Sequence, residues 1–99
     1  MRRRIVFTAQ ADTDRDAIWD HTVEMWSVQQ AEDYLMGLDR VLDLLAEQPQ
    51  LARERRDVDP PVRLHPYKSH MVVFRAHETR LEIVRIVHGR SNWMALLAD

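Results

Sequence analysis

MVVFRAHETRLEIVRIVHGRSNW, residues 71–93, is the stretch whose reading decides the fold. It opens with Met71-Val72-Val73-Phe74, an apolar run too short for a helix and rich in β-branched side chains, which suit the pleated surface of a sheet. His77-Glu78-Thr79-Arg80 interrupts it. Leu81-Glu82-Ile83-Val84-Arg85-Ile86-Val87 resumes the β pattern and runs on into His88-Gly89-Arg90. Two such runs joined by a short polar tetrad predict a β-hairpin. The second run is apolar on both faces: alternation sends Leu81, Ile83 and Val87 one way, Val84 and Ile86 the other. A strand of that kind is central and covered on both sides. The cover has to come from elsewhere in the chain or from a partner.

Upstream residues offer such a cover. Arg4-Ile5-Val6-Phe7 reads as a short first strand. Thr8 then caps a helix over Ala9 to Trp26, its hydroxyl accepting from a backbone N–H that the helix leaves unpaired. Ile18, Thr22 and Met25 form one row on this helix and Trp19, Val23 and Trp26 the next, a broad apolar face. Asp12, Asp14, Asp16, Asp20 and Glu24 fill the solvent side, the first three near the positive end of the helix. Ser27-Val28-Gln29-Gln30 fits a capping box. After it, Ala31, Tyr34, Leu35, Leu38, Val41, Leu42 and Leu45 fall on one helical stripe that Pro49 ends. Gly37 costs this helix about 1 kcal/mol against alanine, which points to close packing there. With almost no loop between them, the two helices form an antiparallel hairpin on the sheet.

Residues 49–62 hold Pro49, Pro60, Pro61 and the run Arg53-Glu54-Arg55-Arg56-Asp57, and read as a connecting loop anchored by Leu51. Val62-Arg63-Leu64-His65 is a short strand that Pro66 places toward an edge. Ser91 caps a last turn from Asn92 to Ala98, whose Trp93, Met94, Leu96 and Leu97 are too apolar to be left in water. The expected class is α+β in the order β-α-α-β-β-β: a helical hairpin on a small, mostly antiparallel sheet, closed by a short C-terminal helix.

Ninety-nine residues predict one domain, 1–99, with one modest core. No apolar run reaches the roughly 18 residues a membrane span needs. Arg2-Arg3-Arg4 is followed by only Ile5-Val6-Phe7, too short an apolar region for a signal peptide. The absence of cysteine removes disulfides and thiolate zinc sites and agrees with a cytoplasmic location. The charge is uneven. Residues 1–59 hold 8 arginines against 13 acids, residues 60–99 hold 6 basic residues against 3 acids, and the whole chain carries −2. Strong nucleic-acid binding by the chain alone is not expected from that balance; a polarised surface of this kind selects a protein partner.

The first strand, the helix with Ile18-Trp19 and Trp26, the leucine helix ending at Pro49, and the closing pattern Val72-Val73-Phe74-Arg75 … Ile83-Val84-Arg85-Ile86-Val87-His88-Gly89-Arg90 together resemble the RelE/ParE toxins of bacterial type II toxin–antitoxin systems. The likeness covers nearly the whole chain. The tail Ile86-Val87-His88-Gly89-Arg90, with Trp93 three residues on, is most similar to the ParE branch. That resemblance implies a toxin that poisons DNA gyrase by binding and is neutralised by a ParD-like antitoxin, often in a heterotetramer, with no cofactor. The RelE branch instead cuts mRNA on the ribosome, and one scaffold serves both.

Metal-free RNA cleavage needs a general base, a general acid and cations for the phosphate. In RelE-like nucleases these are basic residues on the first strand after the helices, an arginine early in the next strand, an arginine after the last strand, and a tyrosine near the C-terminus. Arg63 roughly matches the first and Arg90 the third; Met71 stands at the second, and no tyrosine follows Arg90. His65, Tyr67 and His88 are the residues that would have to stand in. The expected activity is therefore binding without catalysis.

On this reading Arg63, Arg75, His88, Arg90 and Trp93 contact the target, and Trp19, Val23, Trp26, Met94 and Leu97 contact the antitoxin. Three tryptophans are too many for so small an interior, and Trp93 is expected in a partner groove. Arg85, on a face with Ile83 and Val87, needs a carboxylate or carbonyls. Either an acid of the helices supplies it, or the face stays open until an antitoxin covers it. His21, His65, His70, His77 and His88 show no tight metal spacing; a zinc pair of His65 and His70 competes with ordinary strand and loop positions. His21 and Glu24 form a solvated helical pair.

Overall fold

The computed structural model describes residues 2–97, so Ala98, the expected end of the last turn, lies outside the described residues. The elements are β1 (Arg4–Phe7), α1 (Ala9–Met25), α2 (Val28–Glu47), a 3-10 turn (Pro49–Leu51), β2 (Arg53–Arg55), β3 (Val62–Tyr67), β4 (His70–Ala76), β5 (Arg80–His88) and α3 (Trp93–Leu97). The strands form a five-stranded sheet in the order β1-β5-β4-β3-β2. Only the β1–β5 pair is parallel, and the long connection between those strands carries the helical hairpin and the other three strands; the other pairs are antiparallel.

Both helix starts are set by the predicted side chains. Thr8 Oγ1 accepts from the Ala11 N–H at 3.0 Å, and Ser27 Oγ accepts from the Gln30 N–H at 3.0 Å. The apolar stripe of α2 places Leu38, Leu42 and Leu45 in the main core with Phe74, Leu81, Ile83 and Ile86 of the sheet. Gly37 is where the hairpin meets Tyr67: a Cβ at that position would overlap the Tyr67 hydroxyl, which donates to the Tyr34 carbonyl at 2.8 Å. A smaller cluster of Val62, Val73 and Val84 lies on the other face, covered by Val58, Leu64, Trp93 and Leu97. β5, which lies next to the central β4 and not at the sheet centre, is thus covered on both faces from within the chain.

Three expectations change. Leu51, expected to anchor the connection, is exposed, and Pro49 and Ala52 are buried there instead. The connection read as loop contains β2, a short strand whose Arg53-Glu54-Arg55 pairs with Leu64, Arg63 and Val62. Its charged side chains are those of a sheet edge in water, so periodicity offered no apolar signal to find it. The alternation along β5 also breaks. Val73 faces Arg85 while Phe74 faces Ile83, which leaves Val84 as the extra residue of a β-bulge. One added residue shifts every later side chain to the opposite face. Ile86 therefore joins Leu81 and Ile83 on the helix side, and Arg85 turns with Val84 toward α3.

Candidate functional site

β1 pairs with β5 only from Arg80 to Ile83, which leaves the later half of β5 as an edge beside α1. Side chains of the first helix close part of it. Thr8 Oγ1 donates to the Val84 carbonyl at 2.8 Å, and the Ile86 N–H donates to Asp14 Oδ2 at 2.9 Å. Asp14 also takes a bidentate contact from Arg85, at 2.8 Å from Nε and 3.0 Å from Nη2, and Arg85 Nη1 reaches the Leu96 carbonyl at 3.4 Å. Arg85 therefore has its carboxylate inside the chain. Asp14 is not on the solvent side of α1 as its spacing suggested; both side chains are about 15% exposed. Beyond this pair a groove of about 310 Å³ opens between α1 and the end of β5, bordered by Ile18, His21, His70, His88 and Leu96.

At the mouth of that groove stands His70, the first residue of β4. Its Nδ1 lies 2.6 Å from the Tyr34 hydroxyl of α2, and its ring centre is 6.0 Å from that of His88 across the strand pair. Burial, together with the neighbouring His88 and His21, lowers its pKa below the ordinary 6.5. Burial likewise raises the pKa of Tyr67. Lys68 follows in the two-residue β3–β4 turn, with its ammonium 5.5 Å from the ring centres of both Tyr34 and Tyr67. The Gly89 N–H donates to the Ser69 carbonyl at 2.8 Å, which holds this turn against the exit of β5. His88 Nδ1 accepts from the Arg90 N–H at 3.2 Å.

Arg63 and Arg75 lie at the opposite end of the sheet. Arg63 Nη1 donates to the Ala52 carbonyl at 2.8 Å and Arg75 Nη2 to the Pro60 carbonyl at 3.3 Å. The buried Nε of Arg75 has no hydrogen-bond partner among the described residues. Arg63 stands level with Phe74, and His88 level with His70, four residues away along β4, so about 13 Å of strand separates the two ends.

The chain matches the family described as "ParE toxin of type II toxin-antitoxin system, parDE" over residues 5–93. It is 32% identical to Toxin ParE1 of Mycobacterium tuberculosis over 91 residues, 91% of this chain and 93% of that one. Toxin ParE1 of Caulobacter vibrioides is also 32% identical, over 89% of this chain and 91% of its own. A solved structure titled "Chromosomal ParDE TA system from P. aeruginosa" superposes with a TM-score of 0.73 over 88% of this chain and 96% of that one, at 22% identity. The chain belongs to the ParE toxin family of type II toxin–antitoxin systems.

Within a ParE toxin, the five residues expected at the target do not form one patch. Arg63 and Arg75 share a hollow with Pro60 and His77 at one end, while His88 and Arg90 line another at the far end. Trp93 belongs to neither. It packs, partly buried, on the smaller core cluster with Arg55 5.1 Å above its ring. Trp26 is the exposed tryptophan, at 71% beside the exposed Met25 and Val28.

The residues expected at the antitoxin divide similarly. Trp19 and Val23 are half-buried and Met94 is exposed, whereas Leu97 packs with Trp93. His65 and His70 occupy ordinary strand positions, and no group of three metal-ligating side chains occurs among the described residues. Sequence reasoning missed Lys68 and the contacts of Tyr34; it expected an acid of the helices at Arg85 without singling out Asp14. One signal for the first was available, since Lys68 is the only lysine beside thirteen arginines.

Proposed function

We propose that this ParE-family toxin inhibits DNA gyrase by binding it, acts in the cytoplasm, and is held inactive there by a ParD-like antitoxin in a hetero-oligomer such as a heterotetramer. The observation that carries the reading is the separation of Arg63 from Arg90. A nuclease of the RelE kind needs its cations and its proton donor around one phosphate. Here Arg63 is engaged by the Ala52 carbonyl about 13 Å of strand away from the His88 end, and Met71 stands between them. A large protein target can touch both ends at once, so Arg63 and Arg75 at one end and His88 and Arg90 at the other are assigned to it as separate points of contact.

The exposed apolar tip of the helical hairpin, Met25, Trp26 and Val28, with Trp19 and Val23 behind it and Met94 on α3, is assigned to the antitoxin. Trp and Met are favoured in such interfaces, and an amphipathic antitoxin segment suits the helix-in-groove mode.

A supercoiling assay with purified gyrase tests the reading. The expected result is accumulation of cleaved DNA that added antitoxin abolishes. Unchanged supercoiling at large toxin excess would overturn it. Codon-end cuts in translated mRNA, read by primer extension, would instead place the toxin with the ribosome-dependent nucleases.

A further inference from the structure

We propose that the hollow between the β3–β4 turn and the exit of β5 is a binding site for a phosphate group, with Lys68, Ser69, His88 and Arg90 as its donors. The inference goes beyond the gyrase reading and does not rest on it.

Three independent features of the hollow agree. The first is its lining: Lys68, Ser69, His88, Gly89 and Arg90, with two permanent cations and no carboxylate, on a chain whose net charge is −2. The acids of this protein are concentrated in its first 59 residues, so a small basic focus in an acidic molecule is not a matter of composition.

The second is the backbone of Lys68. The turn joins the paired residues Tyr67 and His70 with only Lys68 and Ser69 between them. Lys68 takes φ 51°, the left-handed region, where such turns favour glycine, asparagine or aspartate. A lysine there is held against its own preference. Its ammonium lies 5.5 Å from the centres of the Tyr34 and Tyr67 rings, and the residue borders both this hollow and the groove of Tyr34 and His70; non-glycine residues in this conformation cluster where a ligand is gripped.

The third is the way the donors are pre-positioned. The Gly89–Ser69 backbone hydrogen bond fixes the two loops against each other. Because His88 Nδ1 accepts from the Arg90 N–H, the proton of a neutral His88 imidazole sits on Nε2, free to donate outward. A tetrahedral oxyanion can take a point charge from Lys68, a forked contact from Arg90, and hydrogen bonds from Ser69 and His88. His70 and His21 nearby add positive potential when protonated. Asp14 lies in a neighbouring groove, and Asp33 lines the groove on the helix side that Lys68 also borders; neither carboxylate lines this hollow.

Two sources present that chemistry: the phosphodiester of DNA and the terminal phosphate of a free nucleotide. Fluorescence anisotropy of the full chain with a labelled DNA duplex, over a series of salt concentrations, reads the first. Anisotropy of a fluorescent ATP analogue, with displacement of the duplex by ATP at matched ionic strength, reads the second. For two cations on duplex DNA the logarithm of the binding constant should fall with the logarithm of salt at a slope of about −2. Lys68→Gln and Arg90→Gln should each reduce that slope by about 1, while Arg53→Gln, an exposed arginine on β2, should leave it unchanged.

Lys68→Gly keeps the turn, indeed relieves it, so it should unfold at a higher urea concentration while losing binding as Lys68→Gln does. Displacement of the duplex by ATP, weakened by the same two variants, would assign the site to nucleotides. The proposal is overturned if neither ligand binds at low salt, or if Lys68→Gln, Lys68→Gly and Arg90→Gln bind as the unchanged protein does, or no worse than Arg53→Gln. Gyrase is absent from the assay, so this site can fail while the gyrase reading stands, and the reverse.

Discussion

Asp14 serves two groups at once, the guanidinium of Arg85 and the N–H of Ile86. Its removal takes the bidentate carboxylate from a mostly buried cation, which keeps its contact to the Leu96 carbonyl, and takes the acceptor from an edge N–H. Asp14→Ala is therefore expected to cost about 3 kcal/mol, read as a lowered urea midpoint; a loss under 1 kcal/mol would mean that water replaces the carboxylate. Gly37 is the converse case, a residue whose value is the space it leaves. Alanine raises helix propensity by about 1 kcal/mol, yet its Cβ would meet the Tyr67 hydroxyl. We expect Gly37→Ala to destabilise by about 1–3 kcal/mol net, and Tyr67→Phe in the same chain to return part of that. Both residues were visible in the sequence to different degrees. A glycine inside a strong helical stripe announces close packing, because nothing else repays its cost. An aspartate among five acids of α1 announces nothing, because its partner lies 71 residues away.

At the scale of elements, Thr8 joins two structures that periodicity treats separately. Its hydroxyl accepts from the Ala11 N–H to start α1 and donates to the Val84 carbonyl to close the edge of β5. Thr8→Ala should cost about 2 kcal/mol, the upper end for a lost cap, and amide exchange should quicken along both α1 and residues 84–86. Quickening in α1 alone would show that the link to β5 carries no weight. The caps, the helix stripes and the β4–β5 hairpin were all legible, being written in neighbouring residues. β2 and the Val84 bulge were not. A three-residue charged strand has no pattern of its own, and a bulge is a mismatch between two strands that neither shows alone.

For the whole molecule, His70 makes stability depend on pH, because elements distant in the chain converge on it: His21 and Asp14 from α1, Tyr34 from α2, Lys68 from the turn and His88 from β5. Its folded pKa lies below the ordinary 6.5, chiefly through burial. Above that value the residue is neutral in both states and costs nothing. As pH falls below 6.5 the unfolded chain takes up a proton that the folded one resists, so stability declines until the folded pKa is passed. The slope from this one group cannot exceed about 1.4 kcal/mol per pH unit. Urea midpoints between pH 7.5 and 5 should fall in the native chain (a range set by the ordinary imidazole value) and fall less in His70→Gln.

The sequence by itself determined the kinds and order of the elements other than β2, the α+β class and the resemblance to ParE toxins, since caps, stripes and alternation are local and need no partner. Only the tertiary structure decided which charges meet. Strand register and the β5 bulge set Arg63 far from Arg90, brought Asp14 to Arg85, and put the lone lysine beside the strand exit. Those outcomes depend on contacts between residues many turns apart, where a one-residue shift in pairing moves every side chain that follows.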